Sequence, residues 1–444
     1  MILPEKYSWV KIDDPIYSQA LNDLLYTNEN LNIIGAAGVG KTILLSIIYD
    51  LFKEQNKNVV VCTPTGISSF NLQIKGIPSV TLHSFFKLPP SNVYTASMIH
   101  IQNSLKDIIN EIDIFIIDEI GFCSNTLFDF IHELLLSYRS KQENGIPRMI
   151  LFGDPLQLET PLNRKDKDIS KYFHEVYDDK ICYFNSYSFK DYGYRTIILN
   201  KIFRQNDTIY QNIFNRVREG TQTNEDLNIL NQQVISEEEY FEKNEMYLYL
   251  STTNRGADLV NQSYYEILPS RPRLYQANIR GKIDLSTKKY IKEKLFLKKD
   301  CQIMCIFNSP TGDYVNGTLA KVIDLHNDSV EAVTEYGKTF HVMRHDIKEY
   351  EYDYNSVTKQ IRLTECGNIN IIGCILGFSL TYHKTQSLTL DKYFIDLSGG
   401  MFCNAQLYTA ISRAKDFTFV GLSNPIKNKD IMVSKEALNF LSHI

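Results

Sequence analysis

The stretch Gly35-Ala36-Ala37-Gly38-Val39-Gly40-Lys41-Thr42 constrains this chain more than any other. It fits the pattern G-x4-G-K-[ST] in full, after a short apolar run, Leu31–Ile34, and before a helical pattern, Lys41–Phe52. In that setting Gly35, Gly38 and Gly40 let backbone N–H groups close around phosphates, Lys41 brings a positive charge to them, and the Thr42 hydroxyl is placed for Mg²⁺. The helix N-terminus adds a favourable dipole. A loop of this kind belongs at the end of a strand in a parallel sheet, so the expected class is α/β.

The flanking pattern agrees. Apolar strand candidates at Asn58–Cys62, Ile114–Ile117 and Met149–Phe152 alternate with helical stretches such as Thr126–Tyr138. Near-continuous apolar strands between helices imply a parallel sheet covered on both faces. A second block is expected to open at Thr196–Leu199 and to use Tyr247–Leu250, Gln302–Cys305, Lys392–Ile395 and Thr418–Val420 as strands, with helices near Thr208–Arg218 and Gly256–Tyr265. From Lys321 to about Ile372, short β-type runs (Lys321–Leu325, Ser329–Val333, Thr339–Val342, Gln360–Leu363) alternate with turn signals, which predicts a small antiparallel barrel inserted in that block.

Three further patterns carry chemistry. Ile114-Phe-Ile-Ile-Asp118-Glu119 is an apolar strand ending in two carboxylates, at the sheet edge where ligands sit in open α/β folds. Asp118 is the candidate Mg²⁺ ligand and Glu119 the candidate general base for an attacking water. Gln157, in Gly153-Asp154-Pro155-Leu156-Gln157, offers an amide to the γ-phosphate or the lytic water, although an ordinary Gly-Asp-Pro turn would read the same. Arg204 and Arg413 lie far downstream of the P-loop, and an arginine from another domain stabilises charge on a transferring phosphoryl group.

Composition sets outer limits. The chain has 444 residues, 43% hydrophobic and 22% charged, so it can bury several cores. The net charge of -5 argues against a general polyanion coat and leaves room for a local basic track, such as Ile279–Lys299, which reads equally well as a solvated face. Eight cysteines without a CxxC pair suit a reducing compartment rather than structural zinc. The N-terminal residues lack a secretory signal, and no apolar run approaches the ~20 residues of a membrane span, so a cytoplasmic protein without a membrane partner is expected.

Taken in order, the P-loop, Thr63-Pro64-Thr65-Gly66, Thr81-Leu-His83-Ser84-Phe85-Phe86, Asp118-Glu119, Gly153-Asp-Pro-Leu-Gln157, Phe203-Arg204-Gln205, Thr381-Tyr-His383-Lys384-Thr-Gln386 and Ala410-Ile-Ser-Arg413-Ala resemble superfamily-one helicases. They are most similar to the Pif/RecD-like branch, from about Gln19 to Leu422. The resemblance implies two RecA-like P-loop cores with ATP in the cleft between them, a small wedge insertion and an inserted SH3-like β-barrel. The expected segments are 1–86, 113–195 (first core), 87–112 (wedge), 196–320 and 373–444 (second core) and 321–372 (barrel).

It further implies 5′-to-3′ movement on single-stranded DNA, with tailed or forked duplex as substrate. Gln19 would read the adenine. Thr63, Pro64, Thr65, His83, Ser84 and Phe85 would contact the strand from the first core, and Thr381, His383 and Lys384 from the second. Single-strand tracks use hydroxyls and backbone amides for phosphates and aromatics for bases, but Phe85 is equally at home in a core. Two departures stand out: Ser387 follows Gln386 where the branch usually has Gly, and Ser137–Arg148 lacks its Phe-Gly-Gly step. The chain is expected to act as a monomer, with replication or repair proteins as possible associates. The rival readings are a DNA-stimulated translocase subunit of a repair or nuclease complex that does not unwind alone, a small-molecule kinase, and an RNA-directed helicase.

Overall fold

The structure is a computed structural model describing residues 5–7, 10, 14–89, 91–94, 103–138, 146–160, 166–201, 208–243, 246–283, 291–386 and 388–444. The chain divides into two compact units. One comprises Met1–Arg204, Tyr350–Thr364 and Ser434–Ile444, the other Gln205–Glu349 and Glu365–Val433.

The first unit is built on strands β1 (Asn30–Gly35), β2 (Val59–Thr63), β3 (Val80–Thr81), β4 (Ile114–Ile117), β5 (Arg148–Gly153) and β6 (Tyr194–Leu199), in the order β3-β2-β4-β5-β1-β6. All the pairings are parallel. β2 and β4 are buried along their whole length, as strands covered on both faces must be. The helices α1 (Pro15–Tyr26), α2 (Lys41–Glu54), α3 (Gly66–Ile74), α4 (Leu82–Phe86), α5 (Asn103–Glu111) and α6 (Asn125–Tyr138) belong to this unit. α1 starts where Asp14 accepts a hydrogen bond from Tyr17 N and Pro15 supplies a preset φ. Leu21, Leu24, Leu44 and Ile48 from α1 and α2 join Ile33, Ile116, Ile150 and Phe152 from the sheet in one buried cluster. Each such side chain contributes ~1.5–3 kcal/mol by leaving water.

Two expectations are corrected here. Thr196–Leu199 does not open the second block. It lies in β6, paired with β1 from Asn30↔Tyr194 to Gly35↔Leu199 in the first sheet. An apolar run states that a strand forms, not which neighbour it takes. The C-terminal segment, expected in the second block, packs into the first unit, where Phe440 stacks on Phe184 at 4.3 Å and Glu436 accepts from Asn185 Nδ2 at 2.8 Å.

The second unit begins with the helices Thr208–Glu219, Asn224–Asn231 and Glu237–Lys243, and its first strand is β7 (Leu248–Ser251). There follow β8 (Arg273–Gln276), β9 (Asn278–Gly281), β10 (Lys294–Leu297), β11 (Gln302–Cys305), β12 (Leu319–Leu325), β13 (Ser329–Val333), β14 (Thr339–Asn355), β15 (Gln360–Ile372), β16 (Cys374–Leu376), β17 (Ser379–Thr381), β18 (Tyr393–Ile395) and β19 (Val420–Leu422). A parallel sheet runs β17-β7-β18-β19, and a second sheet runs β16-β11-β12-β13-β14-β15-β9. The registered pairings of that second sheet are antiparallel. Gln302–Cys305, expected in the parallel sheet, is a member of the antiparallel one, so the β-rich portion starts earlier than Lys321. Its core is made of small and branched residues, with Cys301, Cys305 and Cys374 buried beside Ile303, Val322, Val330 and Val342.

β14 and β15 run much further than the short strands expected, with 17 and 13 residues. Their far portion, Tyr350–Thr364, belongs to the first unit. The turn between them is held by Asn355 Oδ1, which accepts from Val357 N and Thr358 N, and by Lys359 at φ 52°. Among the described residues no helix is long and apolar enough to cross a membrane.

Candidate functional site

The sheet order places β4, β5 and β1 side by side, so the loops leaving their C-terminal ends share one edge. β1 delivers the P-loop there. Gly38 and Gly40 both sit at φ 86°, a backbone that L side chains avoid. A Cβ on Gly35 would stand 2.6 Å from Leu199 O, so close packing of β1 against β6 requires glycine. α2 then begins at Lys41, whose Nζ donates to Gly35 O at 2.7 Å and Ala36 O at 3.1 Å. Thr42 follows in the first turn.

β4 delivers the carboxylates. Asp118 is buried, and its carboxyl is pushed up to about 7, first by burial and then by the Glu119 charge, with Lys41 pulling the other way. That attraction ties the P-loop lysine to Asp118 electrostatically. Glu119 is left-handed at φ 55°, a strained backbone for a non-glycine residue, and turns the chain into a short 3-10 helix, Ile120–Phe122. From β5 comes the third loop. Asp154 accepts from Leu156 N at 3.0 Å and Gln157 N donates to Asp154 O at 3.1 Å. Gln157 is buried in this turn. The arrangement gathers a cation, two carboxylates and an amide around a loop shaped for phosphates.

Gln19 is exposed on α1, its amide donating to Asp23 Oδ1 at 2.9 Å. Arg413 lies in the second unit and is almost wholly buried, its guanidinium donating to Thr409 O at 2.8 Å and Ser412 Oγ at 2.7 Å. Arg204 and Ser387 lie outside the described residues, as do 95–102 of the expected wedge and 139–145 of the Ser137–Arg148 segment.

The strand-contacting candidates of the first unit are built on helix caps. Thr63 Oγ1 donates to Thr65 O, and Thr65 Oγ1 accepts from Ser68 N at the start of α3. Pro64 lies between them in this turn. Thr81 caps α4 by accepting from Ser84 N at 3.0 Å. His83 Nε2 is 2.7 Å from the Tyr94 hydroxyl, and burial lowers its pKa, keeping the ring neutral. Phe85 is a correction: its ring meets Phe86, Phe115 and Tyr352 in the core, so it is not turned out to stack on a base. In the second unit Thr381 precedes a 3-10 turn, Tyr382–Thr385, with His383 exposed and Lys384 half-buried. The Lys384 pKa is lowered by burial and by the nearby Lys292, with Asp258 opposing. Elsewhere in the basic stretch, Lys298 donates to Tyr265 O and Leu268 O and Lys299 pairs with Asp324, so both serve the fold.

Residues 13–227 match the family model of the PIF1-like helicases. The chain is 24% identical to ATP-dependent DNA helicase Pif1 of Campylobacter jejuni, over 87% of each protein. It is 26% identical to the protein of the same name from Bdellovibrio bacteriovorus, over 94% of this chain and 89% of that one. The structure of Bacteroides sp Pif1 in complex with ADP-AlF4 superposes with a TM-score of 0.85 at 25% identity, covering 98% of this chain and 97% of that one. Over residues 13–227 the chain is similar to the PIF1-like helicases, and over most of its length it is similar to these Pif1 proteins.

The stretch matched by the PIF1-like model holds Gln19, the P-loop, both carboxylates, Gln157 and Arg204, while Thr381, His383, Lys384 and Arg413 lie beyond it. Two aromatic residues beside the motifs carry no motif signal of their own: Tyr94, which holds His83, and Tyr352, which reaches Val61 and Phe85 from far along the chain. Only the long reach of β14 and β15 would have exposed Tyr352, and their alternation fades into mixed polar residues after Val342.

Proposed function

We propose that this chain acts as a PIF1-like helicase, hydrolysing ATP to move 5′-to-3′ along single-stranded DNA and to open tailed or forked duplex ahead of it. The observation that carries the reading is the meeting of Lys41, Asp118, Glu119 and Gln157 at one sheet edge, with Asp118 raised to about 7. The relatives' shared name, ATP-dependent DNA helicase, and the ADP-AlF4 held by the Bacteroides protein support it.

In this reading the backbone of Gly35, Gly38 and Gly40 cradles the phosphates, Lys41 leaves the Gly35 carbonyl to pair with them, and Gln19 holds the base. Asp118 and Thr42 would hold Mg²⁺. The fit is physical: a buried carboxyl beside a second carboxylate is held partly protonated, and a cation would relieve it. Bound Mg²⁺ neutralises charge on the phosphates. Glu119 takes the proton of the attacking water, Gln157 orients that water, and Arg204 and Arg413 counter the charge of the transferring group. Thr63, Pro64, Thr65, His83 and Ser84 with Thr381, His383 and Lys384 hold the strand, as caps whose hydroxyls and amides suit phosphates. The two parallel sheets serve as RecA-like cores, the antiparallel portion as an SH3-like barrel and part of 87–112 as the wedge. The working form is a monomer in the cytoplasm, meeting replication or repair proteins on DNA.

The test is strand separation on two matched duplexes, one with a 5′ and one with a 3′ tail, with ATP and Mg²⁺. Opening of the 5′-tailed duplex alone, lost in Lys41→Ala, is expected. Opening of the 3′-tailed duplex overturns the direction, and DNA-stimulated ATPase without opening favours a translocase subunit.

A further inference from the structure

β3 has two residues and pairs with β2 only at Cys62 and Thr63. The earlier half of β2 therefore lacks a strand on that side among the described residues, and the β14–β15 turn takes the place. The Tyr352 hydroxyl accepts from Val61 N at 2.9 Å and lies 3.4 Å from Val61 O, serving both groups of one strand residue. Asn58 clasps the same turn, donating to Lys359 O at 3.0 Å and accepting from Ile361 N at 2.9 Å. The Tyr352 ring meets Phe85 edge-on at 5.5 Å. Val61 stands two residues before Thr63, and Phe85 two after His83, so one side chain braces the roots of both candidate strand-contacting loops.

We propose that Tyr352 is a positioning residue for the single-strand track of the first unit: it fixes the Thr63-Pro64-Thr65 and His83-Ser84 loops through Val61 and Phe85 without touching DNA itself. The inference rests on the reading of those loops as DNA contacts. It differs from a packing role in what it predicts. A brace lost from two loops weakens DNA engagement, while Lys41, Asp118 and Glu119, which Tyr352 does not touch, go on hydrolysing ATP.

The experiment measures steady-state ATPase of the full chain against oligo-dT concentration for the native protein, Tyr352→Phe and Tyr352→Ala, with melting temperatures alongside. Removing the hydroxyl costs one net hydrogen bond. Tyr352→Phe should therefore raise the half-maximal DNA concentration up to about tenfold. Tyr352→Ala should raise it further, with kcat at saturating DNA and KM for ATP unchanged in both. An unchanged half-maximal DNA concentration in both variants overturns the proposal, as does a fall in kcat that tracks melting temperature. If Tyr352→Ala does not fold, Tyr352→Phe alone decides. A native chain whose ATPase ignores DNA overturns the underlying reading, and the proposal with it.

Discussion

Gly153 and Ile120 approach so closely that a Cβ on Gly153 would stand 2.8 Å from Ile120 Cγ2 and 3.1 Å from Ile120 N. Ile120 follows the Asp118-Glu119 pair and Gly153 begins the turn carrying Gln157, so this contact sets the spacing of the proposed base, Glu119, and the proposed water-orienting amide, Gln157. Gly153→Ala should cost ~1–3 kcal/mol through overpacking. It should also lower ATPase kcat more than nucleotide affinity. Denaturant unfolding and steady-state kinetics check both, and a native kcat in the variant would mean that the spacing is not set here.

Asp118 makes the site sensitive to pH. Its folded pKa, about 7, lies above the ordinary aspartate range, so the folded chain holds a proton that the unfolded chain has released. Its contribution to stability therefore falls as pH rises through that window. If Asp118 holds Mg²⁺ as proposed, the metal must displace the proton, so the Mg²⁺ concentration for half-maximal ATPase should fall up to about tenfold per unit as pH rises towards 7 and level off above it. Asp118→Asn should be weak and flat with pH.

His132 works in the opposite sense. It is buried between Phe128 O and the Tyr194 hydroxyl, and burial pushes its pKa down to about 4. Above the ordinary histidine value both states are neutral. As pH falls from there to about 4 only the unfolded chain takes a proton, so ~3 kcal/mol of stability is lost across the window. Urea midpoints over that range, compared with His132→Gln, read the difference directly.

Arg413 is proposed to counter phosphoryl charge. Arg413→Ala should then lower kcat by about 10³-fold while ATP still binds. Because the guanidinium is also buried against Thr409 O and Ser412 Oγ, the melting temperature should fall as well. Fluorescent-nucleotide binding by folded variant protein separates the two effects. Loss of binding together with hydrolysis would point to a structural role alone.

The local parts of this molecule were readable from its residues. Strand Ile114–Ile117 lies where its apolar run predicts, and α2 begins at Lys41 as the P-loop spacing requires. What failed was pairing. Thr196–Leu199 and Gln302–Cys305 read as strands, but a run of apolar residues does not encode which distant strand it meets, and both joined sheets other than those expected. Phe85 failed for a related reason: beside motif residues it could face DNA or the core, and Phe115 and Tyr352, its partners, are remote in sequence. β14 was underestimated because the buried face begun by Phe340 and Val342 is interrupted by Arg344, Asp346 and Lys348 before Tyr350, Tyr352 and Tyr354 resume it.

The shortness of β3 also bears on how this protein behaves at high concentration. Unpaired strand amides are a template for another chain, and proteins keep such edges covered. Tyr352 and the Asn58 clasp cover this one with the turn of a hairpin rather than with a strand. Trimming that turn would leave every P-loop contact in place and uncover a sticky side, so the shortened protein would be expected to self-associate, a change that light scattering would register before any assay of ATP turnover did.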